Sequence, residues 1–409
     1  MTPTLADCAR WDASDPLAFA RARFDLPEGM IYLDGNSLGA LPRSTPSRIA
    51  AVVGREWRDG LIGSWNDAGW MELPHRVGGL IAPLVGAEPD EVVAADSTSV
   101  NLYKLAAAAL NLRPDRRVIV SEPGNFPTDL YVLQGLVEQL GKELRLVSPD
   151  VVAEALTDEV ALVLLTHVHY KTGRIHDMGA LTAAAHATGA LALWDLSHSA
   201  GAIAVDLDGT QADFAVGCGY KYLNGGPGAP AYMFAARRHH ASMRQPLTGW
   251  IGHAAPFDFV DDYAPGPGMK RLLTGTPSIL GLAALEEGVK TFDGVSMSEL
   301  RAKSIRLSEL FLILAREALG REFELASPAN PAERGSQISL RHPHGYAMVQ
   351  ALIEAGVVGD FRAPDLMRFG FTPLYLSYAD VWEVGRRFAE VVASGVWSAP
   401  RFNERRAVT

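Results

Sequence analysis

Lys221 stands in Gly217-Cys218-Gly219-Tyr220-Lys221-Tyr222-Leu223-Asn224-Gly225-Gly226-Pro227-Gly228, between an apolar strand pattern and a glycine-rich turn. Desolvation there pushes an amine toward its neutral, nucleophilic form. One strand's worth of chain earlier, Asp195 closes the apolar run from Ala190 to Trp194, and His198 follows three residues on. An amine and a carboxylate at the mouths of neighbouring strands are what pyridoxal phosphate needs. The lysine bonds the aldehyde, and the aspartate keeps the ring nitrogen protonated so that the ring draws electrons. An unpartnered carboxylate at the end of a buried strand is costly, so Asp195 is expected to face a cation or a hydrogen-bond donor. His198 alone reads as a satisfied core histidine; beside Lys221 and Asp195 it reads as a group that stacks on or braces the ring. Gly225, Gly226 and Gly228 suit a tight turn after the lysine, although a positive φ explains them equally.

A phosphate needs a cradle. Asp96-Ser97-Thr98-Ser99-Val100-Asn101, just ahead of the apolar helix pattern Leu102 to Leu110, offers free backbone N–H groups, hydroxyls and a favourable dipole. An ordinary Ser/Thr cap explains the same residues where no anchoring lysine is present. Neither G-x-x-x-x-G-K-[ST] nor G-x-G-x-x-G occurs, which argues against a nucleotide cofactor. His167 and His169 are two apart and can share a strand face, but no third metal ligand is indicated, and no metal is expected. His239-His240 and His342-Pro-His344 are expected at the surface.

These residues need a scaffold. From about Ala87 to Tyr232 short apolar runs alternate with helical patterns, at Arg117 to Ser121, Leu144 to Val147, Val160 to Leu165, Ala190 to Trp194, Phe214 to Val216 and Ala231 to Phe234. Continuous apolar strands belong to a sheet covered on both faces, hence an α/β layer with mostly parallel strands. Pro127 to Leu140 and Met178 to Thr188 are the expected crossover helices, the second stopped by Gly189. Ligands on such sheets bind beyond the carboxyl ends of the strands, where the polar residues cluster here. After Thr291 the pattern changes to a long helix at Ser296 to Leu319, strands at Gln337 to Leu340, Val357 to Phe361 and Leu366 to Phe369, and helices at Tyr346 to Ala355 and Asp380 to Ala393. The expected division is 1–60, an N-terminal segment with a helix near Thr45 to Arg58 packing on the small domain; 61–290, a large cofactor-binding domain; and 291–409, a small α+β domain.

With 409 residues, 48% hydrophobic and 21% charged, the chain has an ordinary globular composition and can bury a large core. A net charge of −10 without a Lys/Arg run speaks against nucleic acid. The start Met1-Thr-Pro-Thr lacks the basic and apolar stretches of a secretory signal, and the longest apolar run is far short of a bilayer span, so no membrane partner and a cytoplasmic location are expected. Cys8 and Cys218 have no spacing suited to a disulfide framework or zinc.

Together, Gly35-Asn36-Ser37-Leu38-Gly39, Phe126-Pro127-Thr128-Asp129, Asp195-Leu196-Ser197-His198, Tyr220 to Asn224 and Gly249-Trp250-Ile251-Gly252-His253 resemble the kynureninase family over about Tyr32 to Trp382. The resemblance implies a fold type I pyridoxal phosphate-dependent transferase-like architecture: a large domain with a mostly parallel seven-stranded sheet and a smaller α+β domain. It also implies hydrolysis of L-kynurenine to anthranilate and L-alanine in tryptophan catabolism. Lys221 is then the covalent anchor, Asp195 the partner of the ring nitrogen, and His198 a neighbour of the cofactor. Thr98 and Ser99 match the phosphate loop, Phe126 to Asp129 the cofactor-facing segment, and Thr166 a small hydroxyl residue near the ring. Trp250 and Thr276 reach the phosphate of the partner chain in a homodimer with shared sites. Arg368 matches the α-carboxylate clamp, with Arg362 as local competitor, and Ser37, Trp65 and Thr276 fall on the substrate side. Tyr220 is the candidate proton relay, with plain packing as its alternative. Trp65 and Thr276 stand where the animal-type pattern resembles a histidine and an asparagine, which favours L-kynurenine over its 3-hydroxy form.

Two other readings have their own signatures. A cysteine desulfurase, selenocysteine lyase or aminotransferase of the same fold type shares the anchor, but desulfurases need a thiol on a mobile loop and usually carry histidine where this chain has Tyr220. A catalytically silent binding protein on the same scaffold conflicts with the intact set of lysine, aspartate, tyrosine and arginine.

Overall fold

Seven short apolar runs are stacked side by side to make one sheet in the computed structural model, which describes residues 2–320 and 322–405. The strands are β1 (Ile31–Tyr32), β2 (Val92–Ala94), β3 (Val118–Ser121), β4 (Glu143–Leu146), β5 (Val160–Thr166), β6 (Leu191–Asp195), β7 (Phe214–Gly217), β8 (Tyr232–Ala235), β9 (Glu324–Leu325), β10 (Gln337–Arg341), β11 (Val357–Val358), β12 (Asp360–Arg362) and β13 (Leu366–Gly370). The large sheet runs β2-β8-β7-β6-β5-β3-β4, parallel from β7 through β4, with β8 and β2 antiparallel at one edge. All seven residues of β5 are buried, as continuous apolar strands covered on both faces require.

Local sequence fixes the helix ends. Pro127 occupies the first turn of Pro127–Leu140, and Gly141 ends that helix at φ +62°. The Asp177 carboxylate accepts from the Ala180 N–H at 2.9 Å to start Met178–Thr188, and Gly189 stops it at φ +81°. Several elements lie outside the expected set, among them the strands β1, β2 and β9, too short to show a period, and the helices Leu5–Ala13, Leu73–Ile81 and Ile279–Lys290. The helix expected near Thr45 to Arg58 is α-helical only over Thr45–Ala51 and continues as a π-helix over Val52–Trp57.

A second, four-stranded antiparallel sheet runs β12-β13-β10-β9. The single strand expected at Val357 to Phe361 is in fact two, serving different sheets. β11 pairs parallel with β1, whereas β12 pairs with β13, and the break falls at Gly359, where an added Cβ lies 2.8 Å from the Arg368 carbonyl. A period-2 pattern cannot register such a change of partner. From β1 the chain runs through 34–39 onto the lysine turn, where the Gly39 N–H donates to the Tyr220 carbonyl at 2.7 Å. Gly39 is needed there because a Cβ would collide with the Lys221 carbonyl and the Asn224 backbone.

Two histidines expected at the surface are buried, His239 and His342. His239 belongs to a network around Asp213: one carboxylate oxygen accepts from Arg238 and His239, the other from His186 and the Ala192 N–H, all at 2.8 Å. Burial raises this carboxyl, but hydrogen bonds from His239, Ala192, His186 and Arg238 outweigh it and hold it well below the ordinary range. A depressed native value stabilises the fold above the unfolded Asp value, near 4, and that contribution fades as pH falls toward the native value. In urea denaturation Asp213→Asn is expected to cost about 2–3 kcal/mol at pH 7. The gap should narrow below about pH 4; a gap constant with pH would show that the carboxylate charge is not its source.

Candidate active site

The carboxyl ends of β5, β6 and β7 and the start of helix Thr98–Leu112 open onto one cavity of about 300 Å³, the size of a small-ligand site. Thr98, Ser99, Phe126, Asp129, Thr166, Asp195, His198, Tyr220 and Lys221 all line it. They come from five separate stretches of chain, and the sheet topology brings them together.

Lys221 Nζ lies 3.0 Å from His198 Nε2, so the histidine braces the amine. On the other side of the ring, His198 Nδ1 is 3.2 Å from Gln337 Oε1, while Gln337 Nε2 donates to the Tyr170 carbonyl at 3.0 Å. With the amide oriented by Tyr170, His198 donates from Nδ1 and presents the Nε2 lone pair to Lys221. Burial, followed by the charge of Lys221, holds His198 well below the usual histidine range and therefore neutral. Gln337 opens β10, 139 residues from His198, and in the sequence it stands only as the start of a strand. The Phe126 ring centroid is 5.7 Å from Lys221 Nζ, and the ring meets Tyr170 edge-on at 5.2 Å.

The opposing charge comes from two buried carboxylates. Asp195 Oδ1 accepts from the Ser197 N–H at 2.8 Å and the Ser197 hydroxyl at 2.6 Å. Neither oxygen of Asp129 has a hydrogen-bond donor. Burial raises both carboxyls; the Asp195 charge pushes Asp129 further up, well above the ordinary range, and Ser197 and Lys221 partly offset the rise at Asp195. Like charges this deeply buried cannot both ionise without a cation. A protonated ring nitrogen supplies one, so the pair fits a pyridinium held in this cavity. Thr166 contacts Asn125, whose amide donates to the Ser121 hydroxyl at 3.1 Å. Asn125 is fully enclosed and had no motif to announce it.

At the helix start, Ser97 caps by accepting from the Val100 N–H at 3.4 Å, leaving the first-turn N–H groups of Thr98 and Ser99 without intrahelical acceptors. Thr98, Ser97 and Tyr220 also line a neighbouring cavity of about 620 Å³, which holds Thr276 and Cys218. Trp250 lines a third hollow, is 41% exposed, and stands edge-on to Phe257 at 5.9 Å. Within one chain it is not beside Lys221. Trp65 packs edge-on against Trp70 at 5.7 Å and lines none of these cavities.

Arg368 is buried on β13. Its Nε donates to Asp360 Oδ1 at 2.7 Å, its Nη2 pairs with Asp360 Oδ2 and lies 3.1 Å from the Ser37 hydroxyl, and its Nη1 donates to the Tyr170 carbonyl at 2.5 Å. Arg362 reaches the same Asp360 oxygen at 2.8 Å but is only half-buried. Tyr170 is thus held by both Gln337 and Arg368, so β10 and β13 meet the rim of the cofactor cavity through one peptide.

The family described as "Kynureninase C-terminal domain" matches residues 300–388. The chain is 50% identical to a kynureninase of Burkholderia mallei strain SAVP1, covering 97% of this chain and 98% of that one. It is 49% identical to a kynureninase of Pseudomonas fluorescens, over 99% and 100% of the two chains. Among solved structures, the apo cysteine desulfurase of Thermococcus onnurineus NA1 superposes with a TM-score of 0.78 at 20% identity, covering 92% of this chain and 98% of that one. A mutant of C-DES with glycine covalently linked to its PLP cofactor gives 0.79 at 17% identity, over 90% and 99%. At such identities the likeness of these two structures shows the fold alone.

Proposed function

The chain belongs to the kynureninase family, and from that premise we propose that it hydrolyses the Cβ–Cγ bond of L-kynurenine to anthranilate and L-alanine at the cavity of Lys221. It is a hydrolase of carbon–carbon bonds, its fold is that of the fold type I pyridoxal phosphate enzymes, and its cofactor is pyridoxal phosphate. The observation that carries the site assignment is the joint burial, in one cavity, of the Lys221 amine and the Asp195–Asp129 pair. Pyridoxal phosphate supplies, when bound, an electron sink for the pairs released at substrate Cα and Cβ.

The protein's own groups do the rest. Arg368, with Ser37 beside it, binds the substrate carboxylate and sets the Cα–H bond within reach of Lys221 Nζ. Lys221 takes the Cα proton, and His198 Nε2 steadies the amine by accepting from it. Water adds to the Cγ carbonyl, its oxygen staying with anthranilate; as Cβ–Cγ breaks, the electron pair remains on Cβ. Tyr220 delivers a proton to that carbon. Burial keeps the Tyr220 phenol protonated, pushed above its ordinary range, as a donor requires. Asp195 and Asp129 would hold the ring-nitrogen proton of the cofactor, and Thr98 and Ser99 would take its phosphate.

Trp250, which does not line the cavity of its own Lys221, and Thr276, which lines the neighbouring cavity with Thr98, support a homodimer in which each reaches the partner's phosphate. Among the described residues no helix is long and apolar enough to cross a membrane; we place the enzyme in the cytoplasm, in tryptophan catabolism. Incubation with L-kynurenine is expected to release fluorescent anthranilate and stoichiometric alanine. Kynurenic acid formed only with a keto acid would instead mark an aminotransferase. With Trp65 and Thr276 standing where the animal-type pattern has a histidine and an asparagine, kcat/KM for L-kynurenine should exceed that for 3-hydroxy-L-kynurenine by about tenfold or more. A higher value for the hydroxylated compound overturns that preference.

A further inference from the structure

Helix Thr98–Leu112 buries a charge. The Lys104 side chain is wholly shielded, and its ammonium donates to Asp96 Oδ2 at 2.6 Å and to the Leu272 carbonyl at 2.7 Å. Its neighbours on the helix, Leu102, Leu105 and Ala106 to Ala109, are buried and apolar. Desolvating an ammonium there costs several kcal/mol, and an apolar side chain of equal length would pack without that cost. The charge therefore does something that packing does not.

What it grips is the residue ahead of the helix cap. Asp96 has φ +50°, a left-handed conformation that side chains other than Gly, Asn and Asp rarely adopt. Its carbonyl accepts from the Ala231 N–H at 2.9 Å, and the Ala95 carbonyl accepts from the Asn101 amide at 2.9 Å. The chain leaves β2, reverses at Asp96, and enters the turn whose Ser97 caps the helix and whose Thr98 and Ser99 face the cavity. Leu272 ends the 3₁₀ segment Gly268–Leu272, four residues before Thr276. One ammonium thus ties the reversal, the helix and the stem of the Thr276 loop.

We propose that Lys104, through its ion pair with Asp96, is a positioning residue for the cofactor phosphate, fixing the reversal that aims Thr98 and Ser99 into the cavity. The proposal rests on the reading of that turn as the phosphate cradle. Its signature is selective: the grip on the phosphate weakens while the grip on the ring and aldehyde does not.

The test is a titration of the full-length apo-enzyme with pyridoxal phosphate and, separately, with pyridoxal, which lacks the phosphate. Lys104→Met is expected to weaken pyridoxal phosphate about tenfold or more and leave pyridoxal within about twofold. Asp96→Asn keeps a residue tolerant of the left-handed backbone and removes only the charge, so it should move the same ratio in the same direction. Should Lys104→Met not fold, Asp96→Asn makes the comparison alone. Equal weakening of both ligands, or an unchanged affinity for pyridoxal phosphate, overturns the proposal. A wild-type enzyme that prefers neither ligand overturns the cradle reading itself, which is a separate and recognisable result.

Discussion

Lys221→Ala is expected to abolish borohydride-trappable attachment of the cofactor and to lower kcat for anthranilate release by at least about a thousandfold. Two functions leave with one side chain: the covalent anchor, and the amine that carries the Cα proton. The surroundings should survive the change, because among the described residues Lys221 makes one side-chain hydrogen bond, at 3.0 Å, to a neutral His198 that Gln337 continues to hold. The variant should therefore fold, bind cofactor non-covalently through Asp195 and the Thr98 turn, and show no reducible linkage. Added methylamine should restore part of the proton transfer but not the anchor. Retention of the borohydride-reducible linkage together with normal turnover would falsify the site assignment.

Arg368→Met is expected to act twice. Asp360 is buried against this guanidinium and Asp34 is half-buried near it, and Asp34 is pushed up to about 7 by burial and by the charge of Asp360. Breaking a buried pair by removing its cation costs about 3–5 kcal/mol, far more than the net worth of the pair, because the carboxylate stays behind uncompensated. The variant should melt well below the wild type. Separately, KM for L-kynurenine should rise about a hundredfold through loss of a charged contact to the carboxylate. The double variant Arg368→Met with Asp360→Leu separates the two effects: stability should largely return and KM should not. A double variant with normal KM would pass the clamp to Arg362, which in the wild type reaches the same carboxylate at 2.8 Å.

The chemistry lay on the surface of the sequence where it was local. Asp195 and His198 share one strand end, Lys221 and Tyr220 share one turn, and Phe126 to Asp129 begin a helix marked by Pro127. Pro127–Leu140 and Met178–Thr188 could be read to the residue because proline, an acidic cap and glycines punctuate them. What escaped reading is non-local. Gln337 matters only because β10 is laid across the Tyr170 loop, and Asn125 only because β5 brings Thr166 beside it. Lys104 reads as an ordinary helix lysine until Asp96 and Leu272 close on it. The antiparallel edge of β8 and β2 and the break at Gly359 are choices of partner, and no periodicity within a strand encodes them. Trp65 and Trp250 took their roles from resemblance, and in one chain both stand away from the lysine cavity.

The short pairing of β1 with β11 joins residues more than three hundred positions apart, and the segment that follows β1 lies directly on the lysine turn. On a ribosome adding roughly 5–20 residues per second, that early segment waits on the order of 15–65 s for its mate. The cofactor half of the pocket has all of its large-sheet strands by then, while the carboxylate-binding half lacks both the strand bearing Arg368 and a seated Ser37. A nascent chain is thus equipped for its vitamin before it is equipped for its amino acid.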